Sequence, residues 1–169
     1  DTRLDREVAI KVLPAALTSL GPRAFGSCTA LTRVAVPSGI TIVNDSVFFD
    51  CHALAEISLP PGLVEIGRSA FASTRALTGL AIPPSVTRIG DSAFAYSALE
   101  EIVLPAGLTS IGAHAFEGCD RMSEIAIPAS VTTIGDLAFL RCYGLTAINV
   151  SPANVTYTSV DGILFNTSV

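Results

Sequence analysis

PAGLTSIGAHAFEGCDRMSEIAI, residues Pro105 to Ile127, is one copy of a pattern that the chain repeats six times. Aligned on proline, the copies begin at Pro14, Pro37, Pro60, Pro83, Pro105 and Pro128; five run for 23 residues and the one from Pro83 for 22. The missing residue falls near Ser97. Self-similarity at a fixed period in this range predicts a solenoid, in which one repeat cannot bury its apolar face but a stack of repeats can.

The columns of the alignment assign the interior. Three places after each proline stands an aliphatic residue (Leu17, Ile40, Leu63, Val86, Leu108, Val131), and three further on another (Leu20, Val43, Ile66, Ile89, Ile111, Ile134). Glycine follows in five copies and Asn44 in the second. These two residue types tolerate positive φ best, so the column predicts a left-handed turn. A small residue and then an unbroken phenylalanine column come next: Phe25, Phe48, Phe71, Phe94, Phe116 and Phe139. Each ring can bury about 150–250 Å², an upper bound of about 4–6 kcal/mol at 25 cal/mol per Å², if it packs on the rings above and below.

Each copy closes on L-x-x-I-x-I, as in Leu54, Ile57 and Leu59. Alternation over so short a span predicts a half-buried strand, ended by the next proline, which has no N–H for a ladder. Stacked copies predict one parallel sheet. The piece between glycine and strand, such as GAHAFEGCDR, has room only for a single helical or 3₁₀ turn.

Composition narrows the function classes. Hydrophobic residues make up 50% and charged residues 15%, where ordinary soluble domains carry about 25% charged. Every unbroken apolar run is far shorter than the ~20 residues that cross a bilayer, so membrane insertion is not expected. Net charge is −5, with nine arginines and one lysine; the acidic balance argues against nucleic acid as partner.

L-x-x-I-x-I-P-x-x-[VL]-x-x-I-G-x-x-A-F-x-x-C resembles the BspA-like leucine-rich repeats over residues 14–150. Local departures are Asn44, Val47, Thr74 and Ser97. The resemblance implies a right-handed leucine-rich-repeat solenoid, a β-dominated α/β repeat of short parallel strands and short helical or 3₁₀ turns. It also implies a non-catalytic protein- or ligand-binding scaffold at the cell surface or outside the cell, with adhesion as its use. Two alternatives stay open: a regulatory or sensor module of a larger kinase-like, cytoplasmic protein, and a structural repeat that self-associates end to end.

The ends break the rhythm. In residues 151–169, Val160-Asp161-Gly162-Ile163 between apolar runs predicts a hairpin cap. Similar Y-x-S-V-D-G-I-L-F segments occur in the resembled family as variant repeats, which implies a cut through a longer array. Residues 1–13 form an atypical N-terminal segment that starts at Asp1 without Met, as a processed piece would. Within it Val8-Ala9-Ile10-Lys11 resembles the V-A-I-K strand of a protein-kinase N-lobe, whose lysine pairs with ATP phosphates. No glycine-rich phosphate loop, H-R-D or D-F-G accompanies it, so the expected role is a strand or cap over the first repeat.

No catalytic, cofactor or metal set emerges. Cys28, Cys51, Cys119 and Cys142 share one column at spacings unlike a zinc site and read as free, small buried residues. His52 and His114 read as exposed loop residues, and Asn44, Asn154 and Asn166 head N-x-[ST] triplets. The best candidate surface is the outward side of the closing strands, expected to be concave. Strand alternation places Arg33, Glu56, Ser58, Glu101, Val103, Glu124, Ala126 and Asn149 there. It reads as a smooth, mildly acidic face for a basic or extended peptide of a protein partner, or for a glycan.

Overall fold

The computed structural model describes residues 10–167. Its repeats wind as a stack of strands and turns, and no helix is present among the described residues. The closing pattern forms seven rungs: β1 (Ile10–Val12), β2 (Arg33–Ala35), β4 (Glu56–Ser58), β6 (Gly79–Ala81), β8 (Glu101–Val103), β10 (Glu124–Ile127) and β12 (Ala147–Val150). All pairings are parallel and in register from repeat to repeat, as in Ile10↔Arg33↔Glu56. The sheet expected to be continuous is divided into β1-β2-β4, β6-β8 and β10-β12.

The first rung settles the place of Lys11. It registers with Val34, in the column that Ile57, Leu80, Ile102, Ile125 and Ile148 fill with aliphatics. Ile10 and Lys11 are thus one more turn of the ladder; Val8 and Ala9 lie outside the described residues.

A second ladder is not apparent from alternation because its strands are two residues long. β3 (Ile42–Val43), β5 (Glu65–Ile66), β7 (Arg88–Ile89), β9 (Ser110–Ile111) and β11 (Thr133–Ile134) form an unbroken five-stranded parallel sheet. Only its aliphatic member faces the core in each turn, so period two cannot show itself.

The third side is an arc of overlapping β-turns, in place of the helical or 3₁₀ turn expected there. In the second repeat, Val47 N donates to Asn44 O, Phe49 N to Ser46 O and Cys51 N to Phe48 O. The alternate amides point along the stack: Ser46 N reaches Arg68 O at 2.7 Å, Phe48 N reaches Ala70 O at 2.8 Å and Asp50 N reaches Ala72 O at 2.9 Å. The carbonyls of the same peptide units, Asp45 O, Val47 O and Phe49 O, accept from Arg23, Phe25 and Ser27 below. Alternate peptide units are therefore axial, and three hydrogen-bonded columns run through the arcs.

That alternation requires left-handed residues, but not at the glycine column. Positive φ falls at Arg23, Ser46, Ser69, Ser92, His114 and Leu137, and again at Ser27, Asp50, Ser73, Tyr96, Gly118 and Arg141. Each non-glycine member costs about 1–2 kcal/mol, offset by the axial bonds it makes possible. The glycine column answers a different need, close approach. A Cβ on Gly112 would lie 2.5 Å from Asp91 N and from Gly90 C, and one on Gly90 2.8 Å from Gly67 C. Gly21, in the first repeat, has nothing within 4 Å. Asn44 fits the column differently, donating its side-chain Nδ2 to Leu20 O at 2.7 Å. There Gly67, Gly90, Gly112 and Gly135 donate backbone N–H groups to the turn below.

Between the three sides lies one core. The phenylalanines stack at centroid separations of 5.4, 5.4, 5.5, 5.4 and 5.7 Å with planes within 11° of parallel. Phe48, Phe71, Phe94 and Phe116 are wholly buried. The hairpin expected after residue 150 is present: β13 (Tyr157–Val160) and β14 (Ile163–Asn166) pair antiparallel around Asp161 and Gly162, both at positive φ. It leans on the last rung through Ile148 N to Gly162 O at 2.8 Å, and Tyr157 Oη accepts from Ile134 N at 2.8 Å.

Two substitutions test this account. Phe94→Ala removes a ring from the middle of the stack and should cost about 3–5 kcal/mol, read as a lower urea midpoint at unchanged slope. Gly112→Ala should destabilise strongly, whereas Gly21→Ala should be neutral or stabilise by up to about 1 kcal/mol. Equal effects of the two glycine changes would remove close approach as the reason for the column.

Candidate binding surface

The strand rungs carry two outward tracks. The first reads Ile10, Arg33, Glu56, Gly79, Glu101, Glu124 and Ala147; the second reads Val12, Ala35, Ser58, Ala81, Val103, Ala126 and Asn149. All eight candidate residues therefore lie on one surface. The structure does not leave them equally available. Arg33 grips Glu56 with two bonds, Nε to Oε2 at 2.7 Å and Nη2 to Oε1 at 2.8 Å. That contact lowers the Glu56 carboxyl pKa and raises that of Arg33. Exposed to solvent, the pair neutralises itself and contributes little to stability.

Among the described residues the Glu101 side chain has no hydrogen bond or ion pair, and that of Glu124 only a 3.3 Å bond from Asn149 Nδ2. Beside them the second track is apolar and open: Val103 is 81% exposed. Shallow grooves of about 760 Å³ and 380 Å³ lie on either side of Val103, over Gly79–Ala106 and over Ile102–Ser151. The face is thus an acidic edge along a strip of small aliphatic side chains.

The cysteine column has a role beyond small size. Cys51 Sγ donates to Phe25 O at 3.0 Å, Cys119 Sγ to Phe94 O at 3.2 Å and Cys142 Sγ to Phe116 O at 3.0 Å. Each thus ties a turn to the phenylalanine carbonyl below it, while Thr74 Oγ1 donates to Phe71 O of its own turn. All four cysteines are free thiols. Burial pushes Cys51 and Cys119 up to about 12.

Several surface groups were not legible as sites. Glu117 gathers Tyr96 Oη at 2.6 Å, His114 Nδ1 at 2.9 Å and Arg141 Nη1 at 3.5 Å. The Tyr96 bond is the largest cause of its lowered carboxyl pKa. His114 is therefore half-buried in an ionic cluster, not a bare loop residue, and His52 Nε2 lies 2.8 Å from Asp50 Oδ1. Tyr96 and Arg141 each sit one repeat from Glu117, at spacings of 21 and 24 residues that a register-aware reading could have found, whereas the two histidines meet carboxylates of their own turns. Asn154 is not an accessible sequon. It is buried, its Nδ2 donates to Pro128 O and Val131 O, and its Oδ1 accepts from Thr156 and Tyr157. Among the described residues no three His, Cys, Asp or Glu side chains could share a metal, and no helix is long and apolar enough to cross a membrane.

In-register parallel rungs, a stacked aromatic core and a turn-built arc define a leucine-rich-repeat solenoid. The BspA type leucine rich repeat region matches in six copies, over residues 10–100 and 87–166, and the chain belongs to that family. Among solved structures it is similar to a leucine-rich repeat protein from Bacteroides ovatus at 30% identity and TM-score 0.81, covering 88% of this chain and 39% of that one. It is also similar to a leucine rich repeat protein of T. pallidum at 32% identity and TM-score 0.79, covering 86% and 71%. A leucine rich cell surface protein from Faecalibacterium prausnitzii is 27% identical with TM-score 0.71, covering 96% and 52%. The chain thus spans well under half the length of the B. ovatus protein. No curated protein matches it.

The thiols allow a pH test. Their folded pKa values lie above the unfolded ones, so the native state holds more protons between about 9.0 and 12. Stability should be flat below that window and fall as pH rises through it. A Cys51→Ser, Cys119→Ser protein, using the residue already present at Ser97, should lose less. Denaturant midpoints from pH 7 to pH 11 read the difference.

Proposed function

We propose that this chain is a non-catalytic binding module of a cell-surface protein, and that its strand face holds an extended, basic segment of a protein partner. The observation that carries the reading is the unpaired Glu101 carboxylate beside the exposed Val103. Lysine or arginine side chains of a bound segment would meet Glu101 and Glu124, and its apolar side chains would cover Ala81, Val103 and Ala126. The Arg33–Glu56 pair marks the edge of that footprint, since its charges already satisfy each other. A surface location is supported by the likeness to the F. prausnitzii protein, described as a leucine rich cell surface protein. Repeat solenoids in general present extended faces of this kind to partners.

Capture of partners from an extracellular matrix extract, followed by affinity measurement, tests the reading. Reversal of Glu101 and Glu124 to Lys should weaken a strand-face partner by more than about tenfold and steepen its loss with salt, because both contacts are exposed and electrostatic. Reversal of Arg33 and Glu56 together should change little. Partners indifferent to the first pair of changes would place the contact elsewhere.

A further inference from the structure

The one short repeat leaves a physical mark. In five repeats the corner between the cysteine column and the closing leucine holds two residues: Thr29-Ala30, His52-Ala53, Arg75-Ala76, Asp120-Arg121 and Tyr143-Gly144. In the fourth it holds Ala98 alone. Elsewhere this corner closes on itself, as when Leu77 N donates to Thr74 O or Met122 N to Cys119 O. Here Ala98 N reaches down to Thr74 O of the preceding turn at 3.3 Å instead. The withdrawn corner opens a notch of about 300 Å³, bordered by Arg75 from the turn below and Asp120 and Arg121 from the turn above.

The notch is lined by departures from the repeat. Tyr96 and Gly118 occupy neighbouring places in a column otherwise filled by Ser27, Asp50, Ser73 and Arg141. A Cβ on Gly118 would meet the Tyr96 ring at 2.5 Å, so glycine is what allows the ring to lie there. Tyr96 is 45% exposed, and its hydroxyl is anchored on Glu117 at 2.6 Å. Arg121 is held by Glu100 at 3.0 Å. Arg75 and Asp120 are different: neither side chain has a hydrogen bond or ion pair among the described residues.

We propose that this notch binds a single neutral pyranose residue, the terminal sugar of a glycan, on a surface separate from the strand face. A free guanidinium and a free carboxylate beside one aromatic ring present donors, acceptors and an apolar platform within one small space. Adjacent sugar hydroxyls supply both complements at once, accepting from Arg75 and donating to Asp120, while the C–H face of the ring covers Tyr96. A volume of about 300 Å³ is at the lower end for ligand sites and suits one ring. An anionic ligand would meet Asp120 and the net charge of −5; a cation would meet Arg75.

Amide NMR titration of the whole chain with a panel of methyl hexopyranosides tests this. At least one sugar should give saturable shifts centred on Ala98, Gly118 and Arg121. Arg75→Ala and Asp120→Asn should each weaken it about tenfold, the size of one lost hydrogen bond to a charged group. Inserting an alanine between Ser97 and Ala98 restores the 23-residue period and should abolish binding with shifts elsewhere unchanged. If that variant fails to fold, the Arg75 and Asp120 variants carry the test. The proposal is overturned by no saturable response to any sugar, by binding that survives both single changes or the insertion in a folded protein, or by saturation with free amino acids alone.

Discussion

Neighbouring turns are held one backbone hydrogen bond apart along the two-residue ladder, the arc and each piece of the divided strand face, and the rest of the structure obeys that spacing. Strands in a ladder sit about 4.8 Å apart. At that distance the rings of Phe25 through Phe139 can only stack nearly parallel and offset, as they do. The same distance leaves no room for a Cβ where one turn's backbone crosses the next, which is why Gly67, Gly90, Gly112 and Gly135 stand where they do. It also selects small hydrogen-bonding side chains in the cysteine column, because larger ones would displace the carbonyls they bind.

A core determined this strictly leaves little freedom elsewhere except at the surface. Outward positions on the rungs are uncoupled from packing, so Glu101 and Val103 vary without consequence for the stack. The arc differs, because its side chains leave from backbone fixed in alternating conformations. Residues one repeat apart meet there, and this assembles Tyr96, Glu117 and Arg141 from three successive turns.

Where a residue's role follows from spacing, the sequence shows it plainly. The phenylalanine column, the closing strands and the outward face follow from period, and the hairpin from the Asp161-Gly162 turn signal between apolar runs. What period cannot show is the peptide plane. Glycine at 112 looks the same in sequence whether it adopts positive φ or makes room for Asp91 N, and only the backbone trace separates them. Likewise GAHAFEGCDR has the length of a helical turn, yet every second amide is directed to the next repeat, which no helix permits. Ion pairs such as Arg33–Glu56 and clusters around Glu117 depend on rotamers, and Asn154 looks exposed until its place in the aliphatic column is counted.

The axial peptide units of the arc behave as an aggregate. Their dipoles align head to tail through five junctions, from Arg23 N→Asp45 O to His114 N→Asp136 O, in three parallel columns. In an α-helix the amides face the N-terminus and make it the positive pole. Here they face the opposite way, so the positive pole lies toward the turn that carries Phe139. Lengthening the array by whole repeats would extend these columns without adding one charged side chain, giving the arc an electrostatic direction that its composition does not disclose.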